Sequence, residues 1–213
     1  LVTVDAASNS IGFVDSPTGI RTTLSQSVSS TLDTQLIDPR AVGFFASNYY
    51  VVDAAADQVV QVPVSELSRV IVSDDVSVVS FDDPVEIVVR EVTSNDIRLY
   101  VLDKGLAQVV EVRVDDGTRQ VIGTGMTSPD AMIYNVDEEN GVEELVILES
   151  GSNRLSVLDL NGALPAVVTS LASYGVAIDA FGLALDSRPE GAADYEVLML
   201  DLSLIHISEP TRQ

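Results

Sequence analysis

The sequence predicts an all-β chain: a β-propeller, of which about four blades of four antiparallel strands lie within these 213 residues. Three observations predict it. A pattern recurs about every fifty residues, each unit reads as four short strands joined by turns, and the strands are apolar on both faces.

Five segments run from apolar residues to a carboxylate, through a short polar turn and into a second apolar run: 1–14, 50–62, 100–112, 146–158 and the truncated 197–201. Their carboxylates are Asp5, Asp53, Asp103, Glu149 and Asp201, spaced 48, 50, 46 and 52 apart. Five places on stand Ser10, Gln58, Gln108 and Arg154, each followed by Ile, Val or Leu. A second landmark precedes the later units, as Asp38-Pro39, Asp83-Pro84, Ser128-Pro129 and Asp179-Ala180, and leads into AVGFF, VEIVV, DAMIY and FGLAL. Two landmarks that keep one period make a repeat.

The elements follow in order. The first unit is a hairpin turning after Asp5. The second is the clearest, with strands over 40–46, 49–53 and 58–64 and a fourth within 69–80, separated by Ser47-Asn48, 54–57 and Ser65-Glu66. In the third, Asp115-Asp116-Gly117 turns the last hairpin. In the fourth, a hairpin turns through 137–141, where Asn140-Gly141 suits positive φ. The segment 172–184 fits a strand or a helical turn, and no stretch sustains a helical apolar period. Val and Ile dominate, as sheets prefer.

A sheet with one wet face would alternate, whereas sheets stacked between neighbours need not. Tandem sandwiches would repeat nearer ~100 residues, and solenoids at shorter periods without hairpins. Six to eight blades close such a ring, so residues 1–201 read as a partial propeller. The segment 202–212 resembles the translation of a transposase-type sequencing adapter, so 202–213 is set aside as a non-native tail. The only histidine, His206, falls within it.

The Pro, the apolar strand, the YVVD, YVLD and VILE segments and the polar turn with Asn153-Arg154 or Gln together resemble NHL-type repeats. The layout is similar to the wider group that holds YncE-like proteins and streptogramin lyases. The resemblance covers 1–201. It departs where the glycine usual after the Pro is missing, at Pro84-Val85 and Pro129-Asp130. It implies a six- or seven-bladed ring, and the lyases of that group use a histidine, which 1–201 lacks.

Strand order puts the start of strand one and the turn after strand two at one end of each unit. Asp38, Asp83 and Asp179 then share a face with Asp53, Asp103 and Glu149, and with Asp5 and Asp201. Converging carboxylates suit a hard cation such as Ca²⁺. The same repetition equally suits caps that accept backbone N–H bonds in every unit. The other acidic clusters, Asp74-Asp75, Asp82-Asp83, Asp115-Asp116 and 137–144, read as solvated turns, and 137–144 lacks EF-hand order. No catalytic residue and no cofactor-binding residue is assigned. Serine hydrolysis lacks a base here, the single lysine, Lys104, lies in a turn, and Gly123-Thr124-Gly125 reads as a turn with no helix to hold phosphate.

Composition excludes further classes. With 33 acidic side chains against 11 basic ones, the net charge of −22 repels phosphate backbones and anionic lipid, so neither nucleic acid nor a membrane surface is an expected partner. No apolar run reaches the length of a spanning helix. Absence of Cys and Trp excludes thiolate sites and broad stacking platforms. The expected protein is an extracytoplasmic binding module, periplasmic or secreted, that presents loops to a protein or peptide. Its signal peptide would lie outside this stretch, and its oligomeric state is not readable. A structural segment of a large surface protein, or a cation-dependent hydrolase or lyase on the acidic face, are the alternatives.

Overall fold

Runs of Val, Ile, Leu and Tyr broken by Asp, Asn and Gly fold into short strands, eighteen among the described residues of the computed structural model. It describes residues 1–15, 17–26, 35–64, 68–74, 78–137, 141–152, 154–162, 166–167, 169–173, 180–186 and 196–201. Among these there is no α-helix, only a 3-10 turn at Ser150–Ser152.

Blade one holds β1 (Val2–Asp5), β2 (Ser10–Val14) and β3 (Arg21–Gln26). Blade two holds β4 (Pro39–Phe45), β5 (Asn48–Asp53), β6 (Gln58–Pro63) and β7 (Val70–Ser73). Blade three runs β8 (Pro84–Thr93), β9 (Asp96–Asp103), β10 (Gln108–Arg113) and β11 (Arg119–Thr124). Blade four runs β12 (Pro129–Asp137), β13 (Val142–Glu149), β14 (Arg154–Asp159) and β16 (Thr169–Ser173), with the two-residue β15 (Ala166–Val167) lying between the last two in sequence. Blade five is the pair β17 (Ala180–Asp186) and β18 (Glu196–Asp201). Within each blade consecutive strands pair antiparallel. β15 instead pairs parallel with β11, so blade four's chain adds a fifth strand to the outer edge of blade three.

The apolar character of both faces has a direct cause. Tyr49 and Val51 of β5 pack with Val60 and Val62 toward blade one, while Tyr50 and Val52 pack with Val59 toward blade three. On β9, Leu99 and Val101 face blade two and Tyr100 and Leu102 face blade four. On β13, Leu145 and Ile147 face back, and Val146 and Leu148 face the next blade. Successive side chains of a strand point to opposite faces, so each middle strand feeds two interfaces. These side chains are fully buried or nearly so, each contributing about 1.5–3 kcal/mol of transfer free energy.

The first strands β4, β8, β12 and β17 lie side by side, each against the next. Their approach is close: a Cβ on Gly43 would stand 2.7 Å from the Val89 side chain. The β4–β5 hairpin turns one residue earlier than its sequence suggests, through Ala46 and Ser47, both at positive φ (47° and 65°). The described parts of 172–184 are strand and not helix, because packing against β12 and pairing with β18 override weak local preference. Gly123 and Thr124 belong to β11 and not to a turn, and only Gly125, at φ 84°, leaves the strand. The tail 202–213 lies outside the described residues.

Candidate functional site

Both landmarks of the repeat meet at one spot. Asp53 is paired across the β5–β6 hairpin with Gln58 and across β4–β5 with Pro39. Asp103 is likewise paired with Gln108 and Pro84, and Glu149 with Arg154 and Pro129. The five-residue offset is therefore the register of a hairpin whose turn occupies the positions between. The backbone of Ala180 and Asp201 repeats the pairing in blade five.

Asp53, Asp103 and Glu149 are completely buried. Asp53 accepts the backbone N–H groups of Ile37, of Asp38 (2.9 Å) and, across its own turn, of Ala56 (3.2 Å). Asp103 accepts those of Asp82 (3.0 Å), Asp83 (3.1 Å) and Leu106 (3.2 Å). Each carboxylate thus ties the segment entering strand one to the turn after strand two. Glu149, one methylene longer, accepts the N–H of Thr127 (2.6 Å), two bonds from the Arg154 guanidinium and one from the Ser156 hydroxyl. Burial alone pushes the Glu149 carboxyl up, but the bonds from Arg154, Ser156 and Thr127 outweigh it and hold the group below the usual glutamate range. Asp5 is exposed and caps only its own turn, through Ala7 and Ser8.

Asp38 and Asp83, also of this end, are held by a guanidinium instead. Asp38 pairs with Arg40 at 2.8 Å, and the same guanidinium lies 3.8 Å from Asp83 on the next blade. Lys104, taken from the sequence as a bystander in a turn, pairs with Asp130 of blade four, which also accepts the backbone N–H of Ser150. Asp179 lies outside the described residues. Among the described residues no three carboxylates gather into a group that could hold a metal ion. Glu86 lies on the inner strand β8. It stands where blades two and four carry the buried Ala41 and Ala131, opposite Leu102 as they are opposite Val52 and Leu148. Burial pushes its carboxyl above the usual glutamate range, opposed only by a bond from the Ile87 N–H.

Sequence reasoning missed Arg119. Its side chain has no solvent exposure and reaches from β11 into blade two. There it donates to the Ser73 hydroxyl (2.8 Å), to the Asp57 carboxylate and carbonyl (2.6 Å each) and to the Val79 carbonyl (3.0 Å), with the Phe81 ring 4.2 Å away. Beside it, Gly117 (φ 71°) lies flat on the backbone of Val72, where a Cβ would come within 2.3 Å of the Val72 carbonyl oxygen, and its own carbonyl accepts the Ser73 hydroxyl at 2.7 Å. A groove of about 560 Å³ opens along β7 at this contact, lined by Ile71, Asp74, Val78 and Asp116 among others.

Blades that pack side by side through two-faced strands make this chain a β-propeller. It is similar to a chain of the nidogen/laminin complex, with a TM-score of 0.65 and 14% sequence identity, covering 95% of this chain and 67% of that one. It is also similar to an auxiliary nutrient binding protein from Bacteroides ovatus, with a TM-score of 0.58 and 12% identity, covering 85% of this chain and 49% of that one. At such identities the likeness is one of fold. No protein-family model matches the sequence, nor does any curated protein. Among the described residues no helix is long and apolar enough to cross a membrane.

Proposed function

We propose that the chain is a non-catalytic binding module, an extracytoplasmic propeller of NHL-type, YncE-like repeats that presents its blade ends and edges to a protein or peptide. The observation that carries this reading is how the carboxylates of the acidic end are engaged. Asp53, Asp103 and Glu149 are engaged by backbone, hydroxyl and guanidinium donors, Asp38 pairs with Arg40 of its own blade, and Asp83 and Asp130 lie in ion pairs that join blades. A general acid or base, or a cation ligand, would have to give up those bonds. The two structural likenesses support the same direction, one being a chain of a nidogen/laminin complex and the other titled a nutrient binding protein. A net charge of −22 favours a cationic partner.

The test is selection of a displayed peptide library on the immobilised protein, followed by calorimetry with and without chelator, beside a titration of Ca²⁺ alone. Saturable peptide binding that ignores the chelator, with no Ca²⁺ heat at millimolar concentration, is the expected result. Stoichiometric Ca²⁺ binding, together with metal-dependent turnover of an ester or glycoside that one carboxylate substitution abolishes, would overturn the reading in favour of an enzyme.

A further inference from the structure

Basic side chains are scarce in this chain, 11 Lys and Arg in all, yet three of them stand in one cross-strand row. Arg90 of β8 is opposite Arg98 of β9, which is opposite Arg113 of β10. Like charges directly opposite on a sheet repel. Arg98 shares a face of β9 with Tyr100 and Leu102, so the row looks toward blade four. The repeat does not require it. At the same register blade two carries Phe45, Asn48 and Pro63, and blade four carries Asn135, Glu144 and Asp159.

Carboxylates hold the row together. Arg98 donates from Nε and Nη2 to Asp96 (3.2 and 3.0 Å) and from Nη1 to Glu111 (3.1 Å). Arg113 pairs with Asp115 at 2.9 Å. Arg90 donates to the Tyr100 hydroxyl (3.0 Å) and pairs with Glu143, which blade four supplies. The Nε atoms of Arg90 and Arg113 are buried with no hydrogen-bond partner among the described residues, so these carboxylates carry the compensation. The ionisable groups facing the row are thus Asp96 and Tyr100 of β9, Glu111 of β10, Asp115 just beyond it, Tyr134 of β12 and Glu143 of β13. Glu86 shares this face of β8 at its far end, and Glu138 and Glu139 lie outside the described residues. The bonds from Arg98, with the charges of Arg113 and Arg90 nearby, hold the Asp96 carboxyl below the usual aspartate range. Its hold on the row is therefore full above the unfolded value of ~3.9 and is lost as pH falls through the folded value.

Guanidinium groups keep their charge in acid and carboxylates do not. Protonating Asp96, Glu111 and Glu143 leaves three cations opposite one another and cuts the tie from Arg90 to blade four. At the other end of the same interface, Lys104–Asp130 leaves a single ammonium when it titrates. We propose that the arginine row and Glu143 form an acid-released latch, so that as pH falls blades three and four part first at the end that carries them.

The chain has no cysteine, so Val92→Cys on β8 with Val142→Cys on β13, both exposed, places two spin labels across that end of the interface. Distances from pulsed electron paramagnetic resonance are read beside far-ultraviolet circular dichroism. A longer distance should appear and become the major one between pH ~5 and ~3, where carboxylates titrate, with strand content unchanged. Adding Glu143→Gln should bring out the longer distance near neutral pH, because the tie is cut with the row in place. Arg98→Gln should lose most of the acid-induced opening, since in acid its partners are neutral and the row has lost its centre. Arg113→Gln, at a side chain 42% exposed, should act in the same direction and serves if the Arg98 variant does not fold. Lys104→Met, at the opposite end, should leave the opening as it is. Loss of strand content before any longer distance, undiminished opening in the arginine variants, or an unchanged distance in Glu143→Gln near neutral pH would each overturn the proposal.

Discussion

Arg119 shows how much one side chain joins. It is a buried cation that donates four hydrogen bonds, to a hydroxyl, a carboxylate and two carbonyls of the preceding blade, and those partners lie 40 to 62 residues back in sequence. Removing it strands the Asp57 carboxylate and the Val79 carbonyl, so Arg119→Met should cost about 3 kcal/mol or more in urea unfolding. Arg119→Lys should recover little of this, because an ammonium cannot reproduce the planar fork. Glu149 gives a pH signature. Its folded pKa is depressed, so its contribution is full above the unfolded value of ~4.3 and is lost as pH falls through the folded value. Glu149→Gln should therefore be the less stable protein near neutral pH and should lose less stability on acidification, as thermal melts across pH will show. Glu86 has the opposite sign. Its folded pKa is raised, so its ionisation opposes folding once pH rises above the unfolded value. Glu86→Gln should raise the melting temperature near pH 7 and leave it unchanged near pH 3, where both side chains are neutral.

At the scale of elements, hairpins were the most legible feature. The carboxylate and the residue five places on are cross-strand partners, and Asn9, Asp57 and Ala107 all take positive φ at the turn position just before that partner. The offset was readable because a hairpin of fixed turn length fixes its register. The bonding of Asp53 and Asp103 to Asp38 and Asp83 was half readable: strand order placed them at one end, but which atoms bonded depended on backbone N–H groups that composition does not reveal. Arg119 and β15 were not readable, because each occurs once and acts between blades. The β4–β5 turn invites a test. Ala46 and Ser47 both sit at positive φ, where a Cβ is strained. Replacing the pair by Asn and Gly, the residues this two-residue turn prefers, should stabilise the chain by about 1 kcal/mol in urea unfolding.

For the whole molecule, the balance is between apolar interfaces and self-repulsion. Each interface is a sheet of Val, Ile, Leu and Tyr from two blades, whereas the surface carries a net charge of −22. Ion pairs such as Arg40–Asp83 and Lys104–Asp130 cross between blades but are partly exposed, and such pairs contribute little. Added salt should screen the repulsion more than it weakens these pairs, so the melting temperature should rise as NaCl increases from ~0.02 to ~0.5 M. A fall over that range would mean the inter-blade pairs dominate.

The stitches between blades share a direction. Arg119 of blade three completes the buried polar cluster of blade two, and β15 of blade four completes the edge of blade three. On a ribosome, then, blades two and three are not finished when their own last strands emerge; each waits for roughly another blade's worth of chain. Until that arrives, Asp57 lacks its cation and β11 its fifth strand. Synthesis of these two blades should pass through part-closed states, each one blade behind the growing end.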